Sequence, residues 1–367
     1  MNTANPLLSQ PAEIRARFAE LRQAGKRHKD AAESLGLTEG MAIAAHVGAH
    51  DNLIKATPLR AQWLEILQGV QACGPVLALT RNESTVHEKT GVYNKVSGSA
   101  AMGLALDPDI DLRLFFTKWH AGFAVFEPAA SAANPPSQSL QFYDAQGIAV
   151  HKIFVRDASD RAAFNALVER FADANAAPVQ YRAAEAKPAI AADSSIDAAA
   201  LAADWGAMKD THDFFGLLKK HAVERQQSFR LMNGQFSQPL PLNTVRTLLD
   251  EAAMDETSIM VFVGSAGCIQ IHSGPVRRIE PMVTPTAQWI NVLDAGFNLH
   301  LREDMVAHVW AVQKPTSDGI VTSVEVFDHT GELMVMFFGS RKPGTPELQT
   351  WRELVARLPR EAATAAA

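Results

Sequence analysis

The chain repeats itself, and that repetition limits the folds open to it. Three blocks of the first half can be laid on the second half without gaps. LALTRNESTVHEKTGVYNKV (Leu77 to Val96) matches MVFVGSAGCIQIHSGPVRRI (Met260 to Ile279). DLRLFFTKWHAGFAVFEP (Asp111 to Pro128) matches NLHLREDMVAHVWAVQKP (Asn298 to Pro315), and SLQFYDAQGIAVHKIF (Ser139 to Phe154) matches SVEVFDHTGELMVMFF (Ser323 to Phe338). The offsets are 183, 187 and 184 residues, a drift that small insertions explain. Two copies are too few for a solenoid. They predict an α+β protein of two tandem repeats, each a large, mainly antiparallel sheet with helices gathered at its ends. A duplicated fold also leaves a cleft between its halves, and such clefts are common ligand sites.

Within each copy the periodicity sets the elements. Residues from Pro11 to Ala49 read as helices, with Ile14, Phe18 and Leu21 at helical spacing and a glycine stop at Gly36. Trp63 to Val70 continues as helix. Strands are expected over Val76 to Thr80, Val92 to Val96, Ala101 to Leu106, Ile110 to Phe116, His120 to Glu127, Ser139 to Tyr143 and Ile148 to Val155, before a helix over Ala162 to Phe171. Asp144-Ala145-Gln146-Gly147 and its counterpart Asp328-His329-Thr330-Gly331 mark hairpin turns. The Ala-rich stretch 174–203 reads as an exposed linker between an N-terminal repeat, 1–173, and a C-terminal repeat, 204–360. Residues 361–367 are expected to be a disordered tail.

Composition excludes several classes. A net charge of -6 argues against nonspecific binding to nucleic acid or to an anionic membrane. No apolar run approaches the roughly 20 residues that span a bilayer, and the first residues carry no basic region followed by an apolar core. Cys73 and Cys268 lie far apart in apolar surroundings and read as buried thiols of a reducing compartment, so the expected location is the cytoplasm. No G-x-G-x-x-G follows a strand, so no dinucleotide fingerprint is present.

After the linker comes Asp210-Thr211-His212-Asp213-Phe214-Phe215-Gly216-Leu217-Leu218-Lys219-Lys220-His221, a helix with its cap at Asp210 or Thr211 and an apolar stripe of Phe214, Leu217 and Leu218. His212 falls in its first turn. On the residues alone it is either a helix-start histidine in water or packing, or an axial ligand to a metal or haem. The two copies also diverge in chemistry at matched positions: Arg113 against His300, Glu127 against Lys314, and Lys152 against Met336.

Read together, THDFFGLLKKH, IDLRLFFTKWHAGFAVFE, WAVQKPTSDGIVTSVEVFDHTGE and TRNESTVHEKTGVYNKV resemble the HemS/ChuS/PhuS (HmuS) family of cytoplasmic haem-handling and haemin-degrading proteins of Gram-negative bacteria. The resemblance runs from about Pro11 to Leu358 and includes the duplication. It implies a haem b (iron protoporphyrin IX) in the cleft between the repeats, within a haem-uptake and iron-acquisition system. His212 matches the axial ligand of the iron; a neutral imidazole suits that task, and a nearby carboxylate would orient it. Arg113 matches the distal arginine, the residue to which a catalytic role is assigned here, and Phe115, on the same face of its strand, matches a pocket aromatic. Arg225, Lys314 and Arg341 fall where the family carries basic residues near the haem propionates. Phe262 matches a further pocket aromatic.

There are departures. The family's Gln and Tyr on the last strand are Met336 and Phe338 here, which makes that side of the pocket more apolar. His87 resembles a second haem ligand of some members, although a lone histidine in a turn between strands is more often simply exposed. His221, nine residues after His212, reads as a surface histidine that could serve as a transient second ligand. The resemblance implies a protein that binds haem and delivers it or degrades it to release iron, with a reductant such as NAD(P)H supplied from outside. The alternative is a pure chaperone that takes haem from an inner-membrane importer and passes it to a separate haem oxygenase.

Overall fold

The computed structural model describes residues 10–129, 136–342 and 344–360. The tail expected at 361–367 lies outside the described residues. One order of elements occurs twice. The first copy runs α1 (Pro11–Gln23), α2 (His28–Ser34), α3 (Glu39–Ala44), β1 (Lys55–Pro58), α4 (Trp63–Gly69), β2 (Val76–Arg81), β3 (Thr85–Gly91), β4 (Val96–Gly98), β5 (Met102–Leu106), β6 (Asp111–Phe115), β7 (Ala121–Glu127), β8 (Ser137–Tyr143), β9 (Ala149–Val155) and α5 (Arg161–Phe171). The second runs α6 (Ala198–Gly206), α7 (Asp213–Lys220), α8 (Arg225–Leu231), β10 (Ser237–Leu240), α9 (Thr244–Met254), β11 (Ile259–Gly264), β12 (Cys268–Gly274), β13 (Ile279–Thr284), β14 (Ala287–Asp294), β15 (Phe297–Arg302), β16 (Val306–Thr316), β17 (Gly319–Asp328), β18 (Leu333–Gly339) and α10 (Gln349–Arg357). Among the described residues the strands of each copy pair mainly antiparallel, so the α+β duplication holds.

The chain forms two compact units. The first takes the described residues up to Arg81 with Glu88–Glu185 and Gly264–Gln270; the second takes Asn82–His87, Ala186–Val263 and the described residues from Ile271 onward. In the first unit β1, β7, β8, β9 and β2 pair antiparallel in that order, and β4, β5 and β6 form a separate meander. One face of the five strands packs on α4 and α5 through Trp63, Leu67, Phe142, Phe164 and Phe171. The other meets α1 to α3 through Phe18, Ile43, Phe123 and Tyr143. The second unit repeats this plan. β10, β16, β17, β18 and β11 pair in order; α9 and α10 cover one face through Leu248, Val324, Phe337 and Trp351, and α6 to α8 cover part of the other through Trp205, Phe214, Phe229 and Trp310.

Local chemistry explains the turns and ends. In both matched hairpins the leading aspartate closes the turn: Asp144 Oδ1 accepts from the backbone of Gln146 and Ile148, and Asp328 Oδ1 from Thr330 and Glu332. The glycine each turn ends on has φ near +80°, a region that penalises any Cβ (Gly147, 80°; Gly331, 81°). Asp160 and Asp197 cap α5 and α6, and Glu224 with Gln227 makes a capping box on α8.

Two readings need correction. TVHEKTG is a strand, β3, whereas a strand was expected over Val92 to Val96; its polar side chains Thr85, His87 and Lys89 are buried, so the alternation of hydropathy that marks strands is missing. The stretch 174–203 contains the start of α6 from Ala198 onward, and Val179 and Tyr181 pack on the core of the first unit.

Candidate functional site

His212 is not inside a helical turn but is the residue before it, at the cap of α7. Asp213 folds the approach by accepting from the backbone of Lys209 and Asp210 at 3.0 Å each. Asp210 Oδ1 then accepts from the His212 backbone at 2.8 Å and lies 2.5 Å from its Nδ1. These two hydrogen bonds, backbone first, hold the Asp210 carboxyl below its usual range, with Arg341 adding its charge. The imidazole is 90% exposed, so the ring is oriented at Nδ1 and open to water elsewhere. That is the arrangement by which a carboxylate presents Nε2 to a metal.

Arg341 stands behind this turn. Its Nη2 meets Asp318 Oδ2 at 3.0 Å, and Ser317 donates to the Lys209 carbonyl at 2.9 Å, so the β16–β17 hairpin ties Arg341 to the His212 loop. Arg341 Nε is buried without a hydrogen-bond partner among the described residues. A buried guanidinium N–H left unpaired favours an anion at that place.

A second cluster surrounds Phe214, two residues after His212. The Arg225 guanidinium lies 5.1 Å above its ring and the Lys314 ammonium 4.9 Å, with the Phe338 ring 5.7 Å from the same ammonium. Glu325 serves both cations. Its Oε2 takes Arg225 Nε at 2.7 Å and its Oε1 takes Lys314 Nζ at 2.5 Å. Burial by itself would raise the Glu325 carboxyl; Arg225 and Lys314 overcome this and hold it at about 2. Arg225 remains 26% exposed, while Lys314 is enclosed at 3%. Arg225 is therefore the cation a ligand can touch, and Lys314 acts through its field.

Beside the cations runs a half-buried apolar strip on the α7–α8 face of the sheet. Met260 pairs with Phe338 and Phe262 with Met336 across β11 and β18, and the two phenyl rings meet edge to face at 5.0 Å. The second unit thus brings together Arg225, Lys314, Phe262 and Phe338, and it places Arg341 at the His212 turn. An oriented imidazole, an orphaned guanidinium N–H and an apolar strip with cations beside it fit haem: a flat, largely apolar ring with carboxylates on its edge and an iron seeking nitrogen.

The first unit carries Arg113 and Phe115 on the open face of its small meander. Arg113 is opposite Leu104 and Phe115 opposite Met102, and the Arg113 guanidinium is ion-paired with Asp111 on the same face. Met102 and Leu106 are exposed there, which makes the face apolar around one cation.

Two histidines differ from expectation. His221 is not a surface residue: its side chain is 10% exposed and its Nε2 lies 2.6 Å from Asp204 Oδ2. His87 is neither exposed nor in a turn; it is fully buried on β3 with its ring 5.0 Å from Phe297. Glu325 was missed altogether. A signal existed: an acidic residue inside the strand SVEVFD, where the first copy has neutral Gln141.

Known proteins resemble this chain over nearly its whole length. The model of the haemin-degrading HemS.ChuX domain matches twice, at residues 36–171 and 222–358, with His212 in the interval between the matches. The hemin transport protein HmuS of Yersinia pestis is 36% identical over 341 residues, 93% of this chain and 95% of its own. Among solved structures, holo-PhuS, a heme-binding protein from Pseudomonas aeruginosa, superposes with a TM-score of 0.89 at 44% identity, covering 96% of this chain and 99% of that one. The heme degrading enzyme ChuS of Escherichia coli O157:H7 superposes with a TM-score of 0.85 at 34% identity, covering 95% and 99%.

Proposed function

The chain belongs to the family of the haemin-degrading HemS.ChuX domain, and on that premise we propose that it binds haem b in the cytoplasm as part of a haem-uptake system, with His212 as the axial ligand of the iron. The observation that carries the ligand assignment is the exposed His212 imidazole held at Nδ1 by Asp210. A histidine so held keeps one tautomer, with the lone pair on Nε2. Arg225 and Arg341 would take the propionates, Lys314 would add charge from behind, and Phe262 and Phe338 would pack on the porphyrin. Bound haem supplies the iron and any redox chemistry; the chain supplies the ligand, the apolar surface and the cations.

One histidine with an open ring suits a protein that must also let go. The haem would come from an inner-membrane importer and leave for a haem oxygenase. No helix among the described residues is long and apolar enough to cross a membrane. Degradation is the second reading, favoured by Arg113 on its apolar face and by the likeness to ChuS. It needs an external reductant such as NAD(P)H, and Arg113 would act on the bound haem by hydrogen bonding.

The test is a haem titration of the full chain and its variants. His212→Ala is expected to weaken binding by at least about tenfold and to shift the Soret band, whereas His221→Ala, whose ring is held by Asp204, leaves both unchanged. An unaltered spectrum and affinity in His212→Ala would remove the assignment. Incubating the haem complex with reductant and catalase in air then separates the two readings: a defined open-ring product marks an enzyme, and a stable Soret band with transfer to a haem oxygenase marks a chaperone.

A further inference from the structure

Glu325 has no evident reason to be where it is. It lies at the centre of β17, fully buried, between Trp310 on β16 and Met336 on β18. Among the described residues the side chain of its matched residue in the first unit, Gln141, bonds Ser139 and Tyr143 and no cation. Glu325 instead gathers three polar side chains beside the strip. Besides Arg225 and Lys314, its Oε1 accepts from Ser323 Oγ at 2.9 Å, and Lys314 also reaches Ser323 at 3.2 Å. Arg225 gains a second anchor where its Nη2 meets the Met336 sulfur at 3.4 Å. The guanidinium is thereby fixed at Nε by Glu325 and at Nη2 by Met336.

We propose that Glu325 is a positioning residue for ligand binding, presetting the Arg225–Lys314 cation pair for a carboxylate of the bound porphyrin, with Met336 as the second anchor of Arg225. The inference rests on the functional reading above and adds residues to which that reading gives no task. Electrostatics supports the geometry. Two cations against one carboxylate leave an excess positive charge beside an apolar surface, which an anionic ring edge would offset. Burial pulls the Lys314 ammonium below its usual range; Glu325 is the group that opposes this, and Arg225 pushes the same way as burial. Among the described residues the other contacts of that ammonium, Ser323 on its neighbouring strand β17, Phe214 from α7 and Phe338 from β18, carry no charge. Without the Glu325 charge, Lys314 would sit buried beside a second cation and would give up its proton more readily. Binding a carboxylate would then have to draw that proton back, so affinity would fall as pH rises.

The experiment uses metal-free protoporphyrin IX and its dimethyl ester, titrated into the full chain by fluorescence quenching from about pH 7 to about pH 9. Neither probe carries iron, so His212 is not involved. The wild-type chain is expected to prefer the diacid over the ester with little dependence on pH. Glu325→Gln is expected to make diacid binding loosen with pH by up to about tenfold per unit, the limit for one linked proton, while ester binding stays flat. Glu325→Asp restores the wild-type profile. A flat profile and wild-type affinity in Glu325→Gln would overturn the proposal, and so would an equal loss for acid and ester. If Glu325→Gln does not fold, Met336→Leu serves: it keeps the bulk, removes the sulfur acceptor, and is expected to cut the acid-over-ester preference about two- to fivefold, and an unchanged preference counts against the proposal. A wild-type chain that binds neither haem nor metal-free porphyrin sinks the functional reading itself, which is a different result from a variant that ignores pH.

Discussion

At His212 the ring is oriented by one carboxylate and open to water; at His151 the ring is fully buried, with Thr80 Oγ1 at 2.8 Å from Nδ1 and Tyr93 OH at 2.6 Å from Nε2. The same side chain is a candidate ligand in one place and a structural group in the other, and burial makes the difference. Burial pulls His151 down to about 3 from 6.5. Between those values the unfolded chain takes up a proton that the folded chain refuses. Stability from this residue is therefore complete above about pH 6.5 and falls by about 1.4 kcal/mol per unit as pH drops toward 3. His151→Gln should flatten the acid side of a denaturation profile by one proton; an unchanged slope would mean that the ring titrates freely. A second prediction concerns Arg113. Arg113→Ala should retain haem but change the visible-region spectrum, and an unchanged spectrum would leave Arg113 as only the partner of Asp111. Sequence pointed to His212 and Arg113 because their neighbours carry a recognisable pattern. It could not rank His87 or His221, whose roles follow from burial and from a carboxylate contributed by another element.

Elements were legible where a local rule sets them. The Asp-x-x-Gly hairpins repeat because each aspartate satisfies the turn's own N–H groups and each glycine takes a positive φ that other residues resist. β3 was hidden because Thr85, His87 and Lys89 are buried polar residues that no hydropathy period reveals. The end of α7 offers a direct test of such rules. Ala222 follows the cap of this helix with φ 50°, where the matched position after α2 is Gly36 with φ 71°. An alanine there bears a Cβ penalty of about 1 kcal/mol that glycine avoids. Ala222→Gly should stabilise the second unit by about that amount in denaturant unfolding, with haem affinity unchanged; destabilisation would show that the turn relies on the alanine methyl.

Across the whole molecule, the two copies share a framework and differ in the sign of the charge they enclose. Where the second unit has Arg225, Lys314, Glu325 and Met336, the first has Glu39, Glu127, Gln141 and Lys152 at matched positions. In the first unit Glu39 and Lys152 are ion-paired with each other and both buried, and Glu127 is held by Arg22 at 2.8 Å and by His28 at 3.2 Å. Its charges are consumed inside the unit. Burial lowers the Lys152 ammonium, and Glu39 is the group that opposes this. Glu39→Gln would leave a buried ammonium without its counter-ion, at a cost of about 3–5 kcal/mol. The loss should shrink as pH rises, because Lys152 gives up its proton in the folded chain before the unfolded one does. Porphyrin affinity should not change. Glu325→Gln is the contrasting case, altering both stability and the pH dependence of diacid binding. Urea unfolding and porphyrin titration of the two variants in parallel decide the point. If Glu39→Gln loosens the diacid as much as Glu325→Gln does, the units are not specialised, and the divergence of charge between the copies carries no function.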